Sequence, residues 1–452
     1  MKKSKLTFFF ILLTACQVPE SPTALRPSLP ANTSTAEWWQ TFNESGQRRH
    51  YILPHETDLA AIPQDAQNPL TPEKVALGKL LFHETALALK SKNAQNGTWS
   101  CATCHFAQAG FQDARIQSLA DGGTGNGSER KLKHALISSN KPDGPNVRSP
   151  SILNVAYQKN LLWNGMAGGM GDNLAVQSQW QKGKPHGFNH LKLEGAETQA
   201  IIALGVHRQS HDDHNYATVK TPLRVLAAYP AYQRRFEKAF PGEPVTRYTL
   251  GLAIAAYERT VLPTQAPFQL FLKGDTQALN AEQQAGAQLF FGKARCHACH
   301  NSPGLSGSQY YALGLNDMTI EFGLPPDENT QKGRGGFTGR AEDAYKFKVP
   351  QLYNLKQRVS LGHGGSFVSD DQQSALEKMI RYKLQGQPEN AKVPPSQLAR
   401  QFVEMAEVNW SEREIQQLLA FMTDGLADPD LARYEPDELP SQRQPINDES
   451  SF

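Results

Sequence analysis

Three shortages frame the 452-residue chain. It has no apolar run near the ~20 residues a membrane-spanning helix needs, which excludes a polytopic helical membrane protein. It has almost no net charge. The formal value is +2, but Lys2, Lys3 and Lys5 belong to a leader; without them 43 of the 46 basic side chains face 44 acidic ones, and a balance of −1 gives no reason to expect nucleic-acid binding. Cysteine is scarce, with five residues. Glycine and proline are plentiful, at 35 and 29 residues, which suits a loop-rich globular protein and falls short of a low-complexity one. At ~100–200 residues per domain, the length corresponds to two or three domains.

The leader has a basic start, an apolar stretch over 6–13 and then small residues, the layout of a secretory signal. It ends Leu13-Thr14-Ala15-Cys16, which resembles the bacterial lipoprotein processing box and implies that Cys16 becomes the lipidated first residue. An ordinary signal peptide cut nearby, with Cys16 incidental, is the alternative. Gln17 in place of Asp implies, within this resemblance, anchoring to the outer membrane from the periplasmic side. The Pro-, Ser- and Thr-rich stretch 18–36 reads as a flexible tether.

The other four cysteines stand as Cys101-Ala102-Thr103-Cys104-His105 and Cys296-His297-Ala298-Cys299-His300. C-x-x-C-H is the attachment signal for c-type haem: two thiols add to the porphyrin vinyls, and the adjacent His ligates the iron. A four-cysteine zinc site and structural disulfides compete with this reading. Both pairs, however, carry the trailing His and lie 195 residues apart, and C-x-x-C pairs are more often redox-active or metal-binding than structural. Two covalent haems c are expected.

Thr71-Pro72-Glu73 marks a helix start ahead of Leu77, Leu80, Leu81 and Phe82, and Asn280-Ala281-Glu282-Gln283 marks another ahead of Gly286, Leu289 and Phe290. Each leads into a C-x-x-C-H motif. Residues 248–262 form a strongly apolar segment that predicts a buried helix stopped by Pro263. Ser411-Glu412-Arg413-Glu414 opens a last helix that ends at Gly425. Residues 121–150 and 163–192 are Gly-rich and predict long loops. The expected fold is mainly α, with two cytochrome c-like haem domains and long loops. The expected division is a signal peptide over 1–15, a lipid-anchored tether over 16–45, an N-terminal haem domain over 46–263 and a C-terminal one over 264–452.

These features sit beside Arg148-Ser149-Pro150-Ser151-Ile152-Leu153-Asn154, Leu162-Trp163-Asn164-Gly165, the stretch 253–262, Phe347-Lys348-Val349-Pro350-Gln351-Leu352-Tyr353-Asn354 and His363-Gly364-Gly365-Ser366-Phe367. Together, over about 70–425, they resemble the bacterial diheme cytochrome c peroxidases and their MauG-type relatives. The resemblance implies that the N-terminal haem, on His105, meets peroxide and that the C-terminal haem, on His300, stores and relays electrons. In the peroxidases the second axial ligand of the latter is a methionine, and Met379 falls on that position; MauG-type enzymes carry tyrosine there. Tyr382, one turn on, is a rival ligand, and a core methionine is the plain reading. Trp163 matches the tryptophan between the haems, a relay or simply a core residue. His363 matches a His-x-Gly pattern near the second haem.

The chain departs from the pattern at the distal side of the first haem. Where the peroxidases carry a distal His, the sequence reads Ser118-Leu119-Ala120-Asp121-Gly122, so the first iron is expected to be five-coordinate at rest unless His134 reaches it. Gln199 matches the family's distal glutamine. Gln209 stands where a glutamate is expected, and His207 with Arg208 could replace that carboxylate, the imidazole taking a proton and the guanidinium stabilising departing hydroxide. Glu194 and Glu197 are alternatives. The family's interdomain calcium uses a side chain at position 148 and backbone carbonyls near 358 and 360. An arginine has no oxygen to offer, so calcium is left open, with Asn146 or Asn154 as substitutes.

The leading expectation is therefore a peroxidase reducing hydrogen peroxide to water, with electrons from a small periplasmic donor, a cytochrome c or cupredoxin. A MauG-type oxidase acting on Trp or Tyr of a partner protein comes second, and a non-enzymatic electron carrier third. The membrane is met through the lipid anchor only, no nucleic acid is bound, and the resemblance allows a homodimer.

Overall fold

The computed structural model describes residues 34–89, 97–125, 129–132, 141–207, 220–322 and 324–445. Cys16, His134, Arg208 and Gln209 lie outside them. The protein is largely helical, 46%. Three two-stranded antiparallel ladders interrupt the helices: Gly123–Thr124 with Lys131–Leu132, Tyr310–Tyr311 with Phe347–Lys348, and Ser360–Leu361 with Phe367–Val368. Among the described residues no helix is long and apolar enough to cross a membrane.

The stretch expected as a tether ends in a docked helix, α1 (Thr35–Glu44). Ser34 and Glu37 close a capping box at its start. Its apolar face buries Trp38, Trp39 and Phe42 against Phe291 and Phe271, with ring centroids 4.7–6.3 Å apart. At about 1.5–3 kcal/mol for each large apolar side chain buried, this short helix is held by packing, not by propensity. A flexible tether can extend only as far as Ser34.

α2 (Pro72–His83), α3 (Gly195–Val206) and α4 (Arg247–Thr260) make the first bundle. Thr71 Oγ1 accepts from Lys74 N at 3.2 Å, and Pro72 occupies the first helical position. α4 is buried along nearly its whole length. Gly78 lets α2 press onto it, since a Cβ there would run into the Ala253 carbonyl and Tyr257.

α5 (Ala281–Phe291), α6 (Ala375–Gln385) and α7 (Glu412–Ala420) make the second bundle. The capping boxes at Asn280 and Ser411 form as expected, and α7 runs on through a π turn, Phe421–Gly425. Gly286 repeats the role of Gly78, because a Cβ there would meet the Gln417 carbonyl and Phe421. In both bundles the glycine helix leads into a C-x-x-C-H motif, so the close crossing fixes where that motif starts.

Candidate haem sites

The first motif occupies a short helix, Cys101–Cys104, with Ser100 N donating to Thr103 Oγ1 at 3.0 Å. The chain then folds back through Gly110 and Phe111, both at positive φ (67° and 55°), an uncommon conformation for a bulky residue. This brings the Phe111 carbonyl to 3.4 Å from His105 Nδ1. Burial, helped by the nearby charge of His207, pulls the His105 pKa down to about 4. The imidazole is therefore neutral, with Nδ1–H turned to a carbonyl and the Nε2 lone pair free, as in metal-ligating histidines.

The second motif repeats the device. His300 Nδ1 lies 3.0 Å from both the Leu305 and the Pro350 carbonyls, and Leu305 is again at positive φ (52°). Burial holds the His300 pKa at about 3. Cys296, Cys299 and His300 face a cavity of about 1650 Å³ of atom-free space, partly open to solvent and walled by Phe290, Leu352, Leu376, Ile380, Phe402 and Leu418. Met379 lines the same cavity from α6. Tyr382 does not: its hydroxyl donates to the Leu313 carbonyl at 2.6 Å, its ring packs on Phe367 and Phe402, and burial pushes the phenol up, away from an ionised ligand. Two thiols, a neutral histidine, a thioether and apolar walls fit a covalently held haem. The competing readings find no support: all four cysteines are free, and among the described residues no group of three His, Cys, Asp or Glu could hold a metal ion.

Between the motifs, Trp163 Nε1 donates to the Arg148 carbonyl at 2.8 Å, and its ring meets His363 edge-on at 6.3 Å. Trp163 also lines the second cavity. His363 is buried, stacked 3.6 Å from Phe347, and its nitrogens have no hydrogen-bond partner; Asp317 is 3.8 Å away. The calcium expectation does not suit this junction. Arg148 fills it: Cβ positions built on Gly365 would touch both Arg148 Cδ and Ser360 Oγ at 3.1 Å. Among the described residues the unpartnered side-chain oxygens in this region are single ones, on Gln112, Asn146, Asn154, Gln357 and Ser360, without the several carboxylates a calcium site draws on.

Near the first motif, where its charge acts on His105, His207 forms the C-cap of α3, and its Nδ1 lies 3.2 Å from Asp143 Oδ2. Asp143 in turn pairs by backbone with the 118–122 stretch: Ala120 N donates to its carbonyl at 3.0 Å, and its own N–H donates to Asp121 O at 2.8 Å. A histidine is thus tied to the very stretch that lacks one in sequence. Gln199 sits partly exposed in mid-α3, so the 1.5 Å rise per residue puts it about 12 Å from His207 along the axis. Glu194 and Glu197 are occupied elsewhere, both paired to buried Arg259 at 3.0 and 2.7 Å; removing one partner of such a buried pair costs about 3–5 kcal/mol, which makes them structural. Within the Gly-rich 163–192 stretch, Trp180, His186 and His190 pack among Val176, Phe337 and one another.

Sequence reasoning missed Asp143 and Glu258. Asp143 carries no local signal, since its partner is 64 residues away. Glu258 lies on buried α4 close to Cys101; burial pushes its carboxyl up to about 8, and Oε2 has no partner. A Glu-Arg pair at the end of an apolar run was the available clue.

Residues 72–277 match the family model for di-haem cytochrome c peroxidase. The chain is 28% identical to the methylamine utilization protein MauG of Methylorubrum extorquens over 375 residues, 82% of each chain. It is equally 28% identical to cytochrome c551 peroxidase of Pseudomonas aeruginosa over 299 residues, 66% of this chain and 69% of that one. A solved MauG-like protein associated with microbial copper homeostasis superposes with a TM-score of 0.59 at 25% identity, over 84% of this chain and 95% of the other. By the matched stretch, these two relatives and the shared fold, the chain is similar to the di-haem cytochrome c peroxidases and MauG proteins, a likeness that implies two c-type haems.

Proposed function

We propose that this protein is a peroxidase: hydrogen peroxide, two protons and two electrons become two waters, with the electrons drawn singly from a small periplasmic cytochrome c or cupredoxin. Once the leader is cleaved, Cys16 would hold it, lipid-anchored, at the outer membrane. When bound, the haem at His105 supplies the iron at which peroxide is cleaved, and the haem at His300 supplies an electron store.

The observation behind this reading is the His207–Asp143 pair at the first motif, set against Met379 at the second. With Nδ1–H held by Asp143, His207 offers Nε2 to take a proton from one peroxide oxygen and return it to the other, so that the departing oxygen leaves as water. Asp143 fixes the tautomer and stabilises the imidazolium that forms in between. Arg208, next in sequence to His207, would add a hydrogen-bond donor to the departing oxygen, whereas Gln199 stands two turns away and has no part in this step. Met379 would complete the second iron's ligands and raise its potential, as a thioether does. Trp163 bridges the two.

A MauG-type oxidase is the second reading, favoured by the lack of a His ligand at 118–122. The test is one equivalent of hydrogen peroxide added to fully oxidised and to half-reduced protein, followed by Soret and near-infrared absorption. Reaction only after half-reduction, with donor consumed on cycling, is the expected result. A long-lived, doubly oxidised species formed directly from oxidised protein would replace the peroxidase by the oxidase, and inertness in both states would leave an electron carrier.

A further inference from the structure

Four cations line the second cavity, the half-buried Lys383 and three buried ones, and Asp317, directed to His363 and Lys392, is the one carboxylate on its wall among the described residues. Arg148, Arg358 and Lys348 are all more than nine-tenths buried, at 1%, 6% and 7% exposure, and all stand on its wall. Their partners are neutral. Arg358 donates to the Tyr353 and Asn354 carbonyls at 2.9 and 3.2 Å. Lys348 Nζ meets Gln158 Oε1 and the Val349 carbonyl. Arg148 Nη2 reaches the Asp113 carbonyl at 3.3 Å, and its Nε has no partner.

Among the described residues no carboxylate acts on Arg358 or Lys348, and Asp113 alone acts on Arg148. Burial consequently pulls the three down, to about 9, 7 and 10 for Arg358, Lys348 and Arg148, and the two guanidiniums oppose each other. Buried cations in such numbers call for a buried anion. A calcium ion at the same junction would instead add two more positive charges.

We propose that Arg148, Arg358 and Lys348 bind the two carboxylates of the haem held by Cys296, Cys299 and His300, and that the guanidinium pair takes the place of the calcium found elsewhere in the family. His363, on the same wall with neither nitrogen hydrogen-bonded, adds a neutral donor. The proposal rests on the haem reading of this cavity and is independent of peroxide chemistry. It carries a consequence for electron flow: positive charge beside a haem favours the reduced form and so raises its potential.

The experiment uses the matured, two-haem protein. Elemental analysis after dialysis against a calcium chelator should find no calcium, with spectra unchanged. Potentiometric titration of Arg358→Met should show the second haem's reduced-to-oxidised ratio falling about tenfold at a fixed potential, which is about 59 mV for a one-electron couple. Arg358→Lys should restore most of that ratio, and the first haem should not move. One tightly held calcium per chain, or an unshifted second haem in Arg358→Met, would overturn the proposal. If Arg358→Met does not mature, resonance Raman spectra of wild type and Arg358→Lys decide: a moved haem-carboxylate band supports the assignment and an unmoved one defeats it. A haemochrome count below two haems in wild type would defeat the haem reading first and this assignment with it.

Discussion

Gly78 and Gly286 perform the same task in the two bundles, and Phe111 and Leu305 present the same kind of carbonyl to His105 and His300. Up to the proximal histidine, the two halves solve one problem in one way. They part on the open side. Near the first stand a histidine–aspartate pair, whose charge acts on His105, and a buried acid, Glu258, whose charge acts on Cys101, groups that can move protons. The second faces a thioether, apolar walls and three buried cations, groups suited to holding a charge state on the haem. The difference teaches that the proximal frame sets attachment, while the division of labour is written in residues far off in sequence.

The comparison breaks most completely if one frame is removed. Replacing Cys101 and Cys104 by Ala should cut the haemochrome count from two to one and leave the second haem's spectrum standing; loss of both haems would mean the halves do not mature independently. Next in size, His207→Gln should lower kcat/KM for peroxide by roughly 10²–10⁴-fold, the usual contribution of a positioned acid–base group, with Asp143→Asn losing less because the imidazole remains. Both variants should keep two haems and wild-type potentials, whereas Met379→Ala should move the second haem's potential down. Trp163→Phe should slow electron passage between the haems in stopped-flow records while leaving both potentials in place.

The smallest effect concerns Glu258. Its folded-state carboxyl is raised from 4.5 to about 8 by burial, with the charge of Glu197 adding to it. The native state therefore holds a proton that the unfolded chain has released. The stability this gives is complete below about 4.5 and is lost as pH rises through about 8. The thermal midpoint of wild type should fall over that window, and Glu258→Gln should flatten the profile.

Much of the frame was legible because it is local. Thr71-Pro72, Asn280 with Gln283, and Ser411 with Glu414 all cap helices as read, and the second C-x-x-C-H motif stands where its helix ends, while the first follows its helix at a distance. α1 was legible in principle, from Ser34 and Glu37 three apart and Trp38 and Phe42 four apart, but the Pro- and Ser-rich stretch before it pulled the reading toward a tether. The open sides were not legible. Asp143 meets His207 across 64 positions, and Arg358 stands beside Arg148 only because the 360–368 ladder folds back onto the first half. Neither pairing leaves a periodicity or a spacing in the chain, and both decide chemistry.

The central claim is that one iron is open and the other closed. It is tested most directly by titrating the oxidised protein with cyanide and counting the haems whose spectrum changes. One haem per chain should respond, the one lost in Cys101→Ala/Cys104→Ala, and Met379→Ala should raise the count to two. Two responding haems in wild type, or none, would contradict the account.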